Sequence, residues 1–306
     1  MAMDLICLGE PLVEFVRQGG PGSPDYLRGF GGDTSNAAIS AARQGAKVGY
    51  LTALGDDPFG QSIRELWAAE GVDASAVKRD PDAQTGVYFV DPDPAGRAFT
   101  YYRAGSAASR MRPADLPRAY LESAGCLHVS GITLAVSDNL RATALAAIDI
   151  VAAAGGAVSV DTNLRLKLWS AEDARAVTHA AMAKAAIAVT SIDDSEILTG
   201  LTDPAAIADL YQGMGPQTVL VTMGEKGCYL ADGDARAQIA PARANPVDST
   251  GAGDSFAGAF LAWRAELGDA TKAAERAAIV AAGTVSGYGA VDPIPRRDAV
   301  LATLGA

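Results

Sequence analysis

The chain has 306 residues, 49% of them hydrophobic and 20% charged, with a formal net charge of −11 at pH 7. That is the size and composition of one large globular domain, or one domain with a small appendage. Acidic and basic residues are interleaved, which argues against non-specific binding to nucleic acid or a membrane surface but leaves room for a local basic pocket. No apolar run approaches the ~20 residues of a membrane span. Met1 to Glu10 has neither the basic start nor the long apolar stretch of a signal peptide. Cys7, Cys126 and Cys228 are far apart and odd in number, which reads as reduced, buried thiols in a cytoplasmic protein. Only His128 and His179 are present, so a histidine-rich metal site is disfavoured; His128, in CLHVSG, reads as a packed core residue.

In chain order, DLICLG at Asp4 to Gly9 is a short apolar run ending in glycine, a buried first strand. Thr34 to Gln44 is an Ala-rich helix closed by Gly45, followed by a strand at Val48 to Leu51. Phe59 to Glu70 is a helix closed by Gly71. The rhythm recurs with strands at 125–130, 157–161, 187–190 and 218–222. Helices are expected at 138–154, 171–185, 204–212, 254–266 and 272–288. Strands alternating with helices imply an α/β fold, a doubly wound, mostly parallel sheet with helices on both faces. Two segments break the rhythm, Leu12 to Phe30 and about Ser75 to Arg103. The second reads TGVYFVDPDPAGRAFTYYR, two alternating runs about a Pro/Gly turn, hence a hairpin. The two segments together make a small separate sheet within a single domain over 1–306.

The most informative stretch is NPVDSTGAGDSFAGAF, Asn245 to Phe260. It sets Gly251-Ala252-Gly253 directly before Asp254 at the start of a helix. N–H groups at a helix start are unpaired, and the helix dipole favours an anion there. Glycines let backbone come close to that anion. The Ala252, Gly253 and Asp254 N–H groups could hold a transferring phosphoryl group, and the Asp254 carboxylate could take a proton from an attacking hydroxyl. The plain alternative is an aspartate capping a helix. There is no G-x-x-x-x-G-K-[ST] sequence, and Gly9 with Gly31-Gly32 makes no dinucleotide fingerprint.

DSTGAGDSFAGA resembles the C-terminal signature of the ribokinase-like (PfkB-type) carbohydrate kinases, and GGDTSNAAISAARQGAKVGYLTALGDDPFG, Gly31 to Gly60, resembles their N-terminal one. The resemblance covers essentially the whole chain. It implies ATP and Mg²⁺ as cofactors, with a monovalent cation left open, and the small sheet as a lid that often also joins subunits into a homo-oligomer. It places Asp254 as catalytic base with Gly251, Ala252 and Gly253 as anion hole. Asp193 and Glu196, in IDDSEIL, resemble an Asn-x-x-Glu motif that organises magnesium, often through water; Asp193 departs from the Asn. Thr222, Gly224, Lys226 and Gly227 resemble the nucleotide loop, and Gly283 and Ser286 are adenine-side candidates. Gly32, Asp33 and Asn36 stand at a helix start where sugar hydroxyls are bound; capping is the alternative.

Within the family, GEPLVEF, TYYRAGSAASRM, DTNLRLKLW, IDDSEIL and GAVDPIP resemble 2-keto-3-deoxygluconate kinases. That places Arg103 and Arg165 on a substrate carboxylate, Tyr88 and Tyr101 beside it, and Asp292 near its hydroxyls. A planar guanidinium suits a carboxylate through paired hydrogen bonds. Kinases of fructose or another neutral sugar, and a non-catalytic sugar or nucleotide sensor, are the alternatives.

Overall fold

The computed structural model describes residues 3–93 and 96–305. The chain runs β1 (Met3–Leu8), β2 (Leu12–Arg17), β3 (Tyr26–Gly31), α1 (Asp33–Arg43), β4 (Val48–Leu51), β5 (Ala53–Gly55), α2 (Pro58–Glu70), β6 (Lys78–Asp80), β7 (Val87–Asp93) and β8 (Gly96–Tyr102). It continues through α3 (Arg118–Glu122), β9 (Ala124–Ser130), α4 (Gly131–Ala135), α5 (Asp138–Ala153), β10 (Ala157–Asp161), α6 (Ala171–Met182), β11 (Ile187–Ser191), α7 (Ile192–Thr199) and α8 (Pro204–Met214). Last come β12 (Thr218–Thr222), β13 (Cys228–Asp232), β14 (Ala235–Ile239), α9 (Ala252–Leu267), α10 (Ala270–Val285) and α11 (Arg297–Leu304).

The main sheet has the order β14-β13-β12-β11-β10-β9-β1-β4. From β12 to β4 all pairs are parallel; β13 and β14 are antiparallel. Both faces are covered, and alternate residues divide between them as the strand period of two requires. Leu5 and Cys7 of β1 join one apolar layer with residues of α1, α9 and α10. Ile6 and Leu8 join the other, with residues of α5 and α8. Each such aliphatic side chain, fully buried, contributes about 1.5–3 kcal/mol. His128 is buried in this core, its Nδ1 3.1 Å from Ser159 Oγ, and burial lowers its pKa to about 4.

Strands β3-β2-β7-β8 form the expected second sheet. Its second segment begins at Val87 rather than near Ser75, because Lys78–Asp80 pairs with Ala53–Gly55 instead. The turn between β7 and β8, at Pro94 and Ala95, lies outside the described residues. The edge hairpin β13–β14 and the helices α3, α4 and α11 were not expected from the sequence. Helix α10 stops at Val285, three residues before the expected end. Among the described residues no helix is long and apolar enough to cross a membrane.

The chain leaves β1 toward β4 on one side, and later strands are added on the other, so β1 and β9 flank a topological switch. Crevices at the carboxyl ends of strands beside such a switch bind ligands. Glu10, Ser130, Asp161 and Thr222 all lie at or just after those ends.

Candidate active site

Helices α1 and α9 touch without a side chain between them. Gly258 is the reason: a Cβ there would collide with the backbone of Ala37. Ser40 Oγ also donates to the Ser255 carbonyl at 2.6 Å. This contact brings the first turn of α1 to the first turn of α9. Asn36 Nδ2 then donates to Asp254 Oδ2 at 2.8 Å. From the loop after β10, Asn163 Nδ2 donates to Asp254 Oδ1 at 2.9 Å. Each oxygen of the carboxylate is held by one amide.

The Asp254 pKa is raised from 3.8 to about 6. Burial is the main cause and the neighbouring Asp33 carboxylate adds to it; Asn36, Arg165 and Asn163 oppose it by favouring the charged form. A carboxylate in that range is ionised at neutral pH yet basic enough to accept a proton. Before it, Gly251 caps α9 at φ 76°, in the left-handed region, with the Ala290 carbonyl 2.9 Å from where a Cβ would stand. The Ala252 N–H is already given to Ser249 O at 3.2 Å, so it leaves the expected anion hole. The first bond of the helix is Ser255 N–H to Gly251 O, so the N–H groups of Gly253 and Asp254 are the ones left for an anion.

On the other side of Asp254 lie most of the expected substrate residues. Gly32 precedes α1 at φ 110°, packed on the Glu10 carbonyl. Asp33 is buried; Ser130 Oγ donates to its Oδ2, and its Oδ1 has no hydrogen-bond partner among the described residues. Burial raises the Asp33 pKa, with the Ser130 hydrogen bond opposing. Asn36 Oδ1 is likewise buried and unpartnered. Two acceptors without donors suit the hydroxyls of a sugar. Tyr88 donates to Glu14 Oε2 at 2.5 Å and stacks on Tyr101 at 5.4 Å between centroids. Arg165 is exposed, and its charge acts on Asp33, Asp254 and Tyr101. Its one hydrogen bond is to the Leu164 carbonyl, and it has no ion-pair partner among the described residues.

Arg103 differs from expectation. Its Nε donates to Glu10 Oε2 at 2.6 Å, and Ser106 Oγ donates to Glu10 Oε1. The Glu10 side chain is wholly buried, so the guanidinium charge is paired inside the protein, while its buried Nη2 makes no hydrogen bond among the described residues. Asp292 also departs: its side chain is exposed, and the role of its segment is to give backbone carbonyls to Arg43.

Beyond Gly253 opens a cavity of about 530 Å³. Thr222, Gly224 and Gly227 line it, together with Pro241, Ala244, Pro246, Ser249, Phe256 and one face of α10, namely Ala278, Ala281, Ala282 and Val285. Lys226 is exposed and outside that lining. Gly283 and Ser286 do not reach it either. Gly283 is packed on Pro295, and Ser286 Oγ is spent on the Ala282 carbonyl at 2.8 Å and on Asn245 N–H. The helical period turns them off the alanine face.

The acidic helix α7 is rotated from the expected reading. Asp193 and Glu196 are exposed, and Glu196 borders a separate groove with Arg175 and His179. Asp194 is the acid that meets the cleft: its Oδ2 accepts from Thr162 Oγ1 at 2.8 Å and from Leu164 N–H at 3.0 Å. It also lies near enough to Asp161 to help raise that buried group's pKa, after burial itself and Asp254. Sequence reasoning missed Asn163, Glu10, Asp161 and Asp194 as site residues. Only the position of Asp161 at the end of a strand, and of Asn163 just after it, hinted at them.

Residues 4–297 match the model of the pfkB family of carbohydrate kinases. A 2-dehydro-3-deoxygluconokinase of Thermoproteus tenax is 34% identical over 302 residues, 96% of this chain and 91% of that one. Fructokinase-2 of Solanum lycopersicum is 34% identical over 266 residues, 84% of this chain and 80% of that one. The crystal structure of fructokinase with bound ATP from Xylella fastidiosa is similar with a TM-score of 0.90 and 26% identity, covering 98% of each chain.

Proposed function

The chain belongs to the pfkB family of carbohydrate kinases, and on that footing we propose that it transfers the γ-phosphoryl group of ATP to 2-keto-3-deoxy-D-gluconate, giving the 6-phosphate. The observation that carries this reading is Asp254, held by Asn36 and Asn163 between a cavity lined by α10 and a cluster of polar side chains that includes Asp33 and is acted on by the charge of Arg165. Asp254 takes the proton of the terminal hydroxyl as that oxygen attacks the γ-phosphorus, and ADP departs with the bridging oxygen. The Gly253 and Asp254 N–H groups hold the charge on the transferring group. Asp33 Oδ1 and Asn36 Oδ1 accept from substrate hydroxyls, and Arg165 takes the carboxylate. Tyr88 and Tyr101, from the small sheet, cover the pocket as part of a lid that excludes water.

Mg²⁺, when bound, neutralises phosphate oxygens and so eases attack on phosphorus. The donor set fits an ion that keeps its waters and takes one or two carboxylates: Asp194 would hold it through water, its Oδ1 taking no hydrogen bond among the described residues. Leu27 and Tyr102 of the small sheet are 62% and 60% exposed, which supports its use as a contact between copies.

Fructose is the second reading, and the Glu10–Arg103 pair favours it. With Arg103 neutralised, one arginine remains where two were expected. Coupled ADP release with Mg²⁺-ATP tests the choice against 2-keto-3-deoxygluconate, its galactonate epimer, fructose and ribose. Turnover concentrated on the keto-deoxy acids is the expected result. A preference for fructose would sink the acid assignment and keep the Asp254 chemistry.

A further inference from the structure

We infer that Asn163 is a positioning residue for the Asp254 carboxylate: its amide, presented by a left-handed turn that two acidic residues hold in place, fixes which lone pairs of Asp254 are left for the acceptor hydroxyl. This rests on the reading of Asp254 as base. Asn163 is the one non-glycine residue with positive φ among those described, at 29°, and it is buried. Asparagine tolerates that region better than most residues, but glycine would adopt it more easily. A side chain kept at such a position has a use there, and here its Nδ2 reaches Asp254 Oδ1.

The turn is pinned from both ends. Asp161 Oδ1 accepts the Asn163 N–H at 3.1 Å. Asp194 Oδ2 accepts the Leu164 N–H and the Thr162 hydroxyl on either side of Asn163. Strand β10 and helix α7 thus set the backbone of residue 163, and residue 163 sets the carboxylate. Asn36 does the same for the other oxygen from α1. A carboxylate has about four lone-pair sites; with one on each oxygen taken by a fixed amide, the remaining two are aimed rather than free to rotate. The charged and titratable groups that act on Asp254 are Asp33 from α1, Arg165 from the loop after β10, Asp161 from β10 and Tyr88 from β7.

Asn163→Gly separates the amide from the backbone, because glycine keeps the left-handed turn. Expected is a fall in kcat of about 10- to 100-fold, with KM for sugar and for ATP within about threefold of the parent. The acid limb of the kcat profile should move to higher pH, since a donor that favours the ionised form is lost. An unchanged kcat and an unmoved limb would overturn the proposal, as would a raised sugar KM with kcat intact, which would make Asn163 a binding residue. If Asn163→Gly does not fold, Asn163→Asp carries the test, since aspartate also tolerates the turn. Two facing carboxylates resist joint ionisation, so its acid limb should rise by about a pH unit or more; an unmoved limb overturns the idea. Asp254→Asn is run beside them. If that variant is inactive while Asn163→Gly is unaffected, the positioning role alone fails. If Asp254→Asn turns over normally, the base assignment fails and takes the positioning role with it.

Discussion

The two halves of the cleft are built from opposite materials. On the side of Asp254 proposed for the acceptor, buried carboxylates and amides crowd together beside Arg103 and the exposed Arg165, and two acceptors, Asp33 Oδ1 and Asn36 Oδ1, have no donor among the described residues. On the side proposed for the nucleotide the wall is mostly alanine, proline, glycine and valine, with Phe256 and the polar Thr222, Glu225 and Ser249, around about 530 Å³. The first half can discriminate among small polar molecules, because every unpaired group there penalises a ligand that fails to match it. The second half offers shape and backbone, which suits a flat ring and a phosphate chain shared by many partners. Asp254 stands at the seam, and its elevated pKa comes from the crowded side.

The sharpest way to test that seam is Asp254→Asn. Loss of a general base costs about 10²- to 10⁴-fold in kcat, and the apolar half should still bind ATP with unchanged affinity. The same variant should be more stable. A rise of the folded-state pKa from 3.8 to about 6 corresponds to about 3 kcal/mol against the ionised form. The native state therefore holds the proton more tightly than the unfolded chain, and stability falls as pH rises from about 4 to about 6. Above that window Asp254→Asn should melt higher than the parent; near pH 4 the difference should vanish. Activity runs the other way, full above about 6 and lost as pH falls through it. Equal melting temperatures at pH 7.5 would mean the acceptor side is not strained in this way.

The two arginines of that side divide its work. Arg103 is internal: removing it leaves Glu10 buried and unpaired, which costs about 3–5 kcal/mol. Arg103→Ala should therefore lose stability, read as a fall in the urea midpoint, and Arg103→Met with Glu10→Gln should regain much of it. Arg165 has no carboxylate partner among the described residues, so Arg165→Ala should leave the urea midpoint unchanged. Its effect should be a sugar-acid KM raised by about 10- to 100-fold, the worth of a charge-assisted pair, with the ATP KM unmoved. If the sugar KM rises only in Arg103→Ala, the division is reversed.

This contrast also explains what could be read from the sequence. The motif GAGD and the apolar runs of β1, β10 and β12 are local, so Asp254 and the parallel sheet were legible. The hairpin CYLADGDARAQI carries a local signal too, two short runs about Asp-Gly-Asp. Asp193 and Asp194 are neighbours on a helix, where one residue means a rotation of about 100°; nothing local says which faces the cleft. The Glu10–Arg103 pair spans 93 residues and exists because β1 and the small sheet meet. Asn163 is defined by a backbone angle that one carboxylate two residues away, Asp161, and one 31 residues on, Asp194, hold in place. On the nucleotide side the difficulty is different: Ala278, Ala281 and Ala282 carry no functional group, and a wall made of absent side chains leaves no motif.

That wall can be challenged directly. Ala282 lies on the cavity face of α10 and is 9% exposed, with Ala278 and Val285 above and below it. Ala282→Phe places a ring in space the nucleotide would need, without touching the hydrogen bonds that hold Asp254. The cavity is open enough to accept the ring, so the fold should persist and the melting temperature change little. The expected effect is an ATP KM raised by about tenfold, as for a few lost apolar contacts, with the sugar KM and the pH limb unchanged. A raised sugar KM with normal ATP binding would exchange the two halves. No change in either would place the adenine elsewhere, and the division of the cleft into a polar acceptor half and an apolar nucleotide half would have to be redrawn from the Asp254 seam outward.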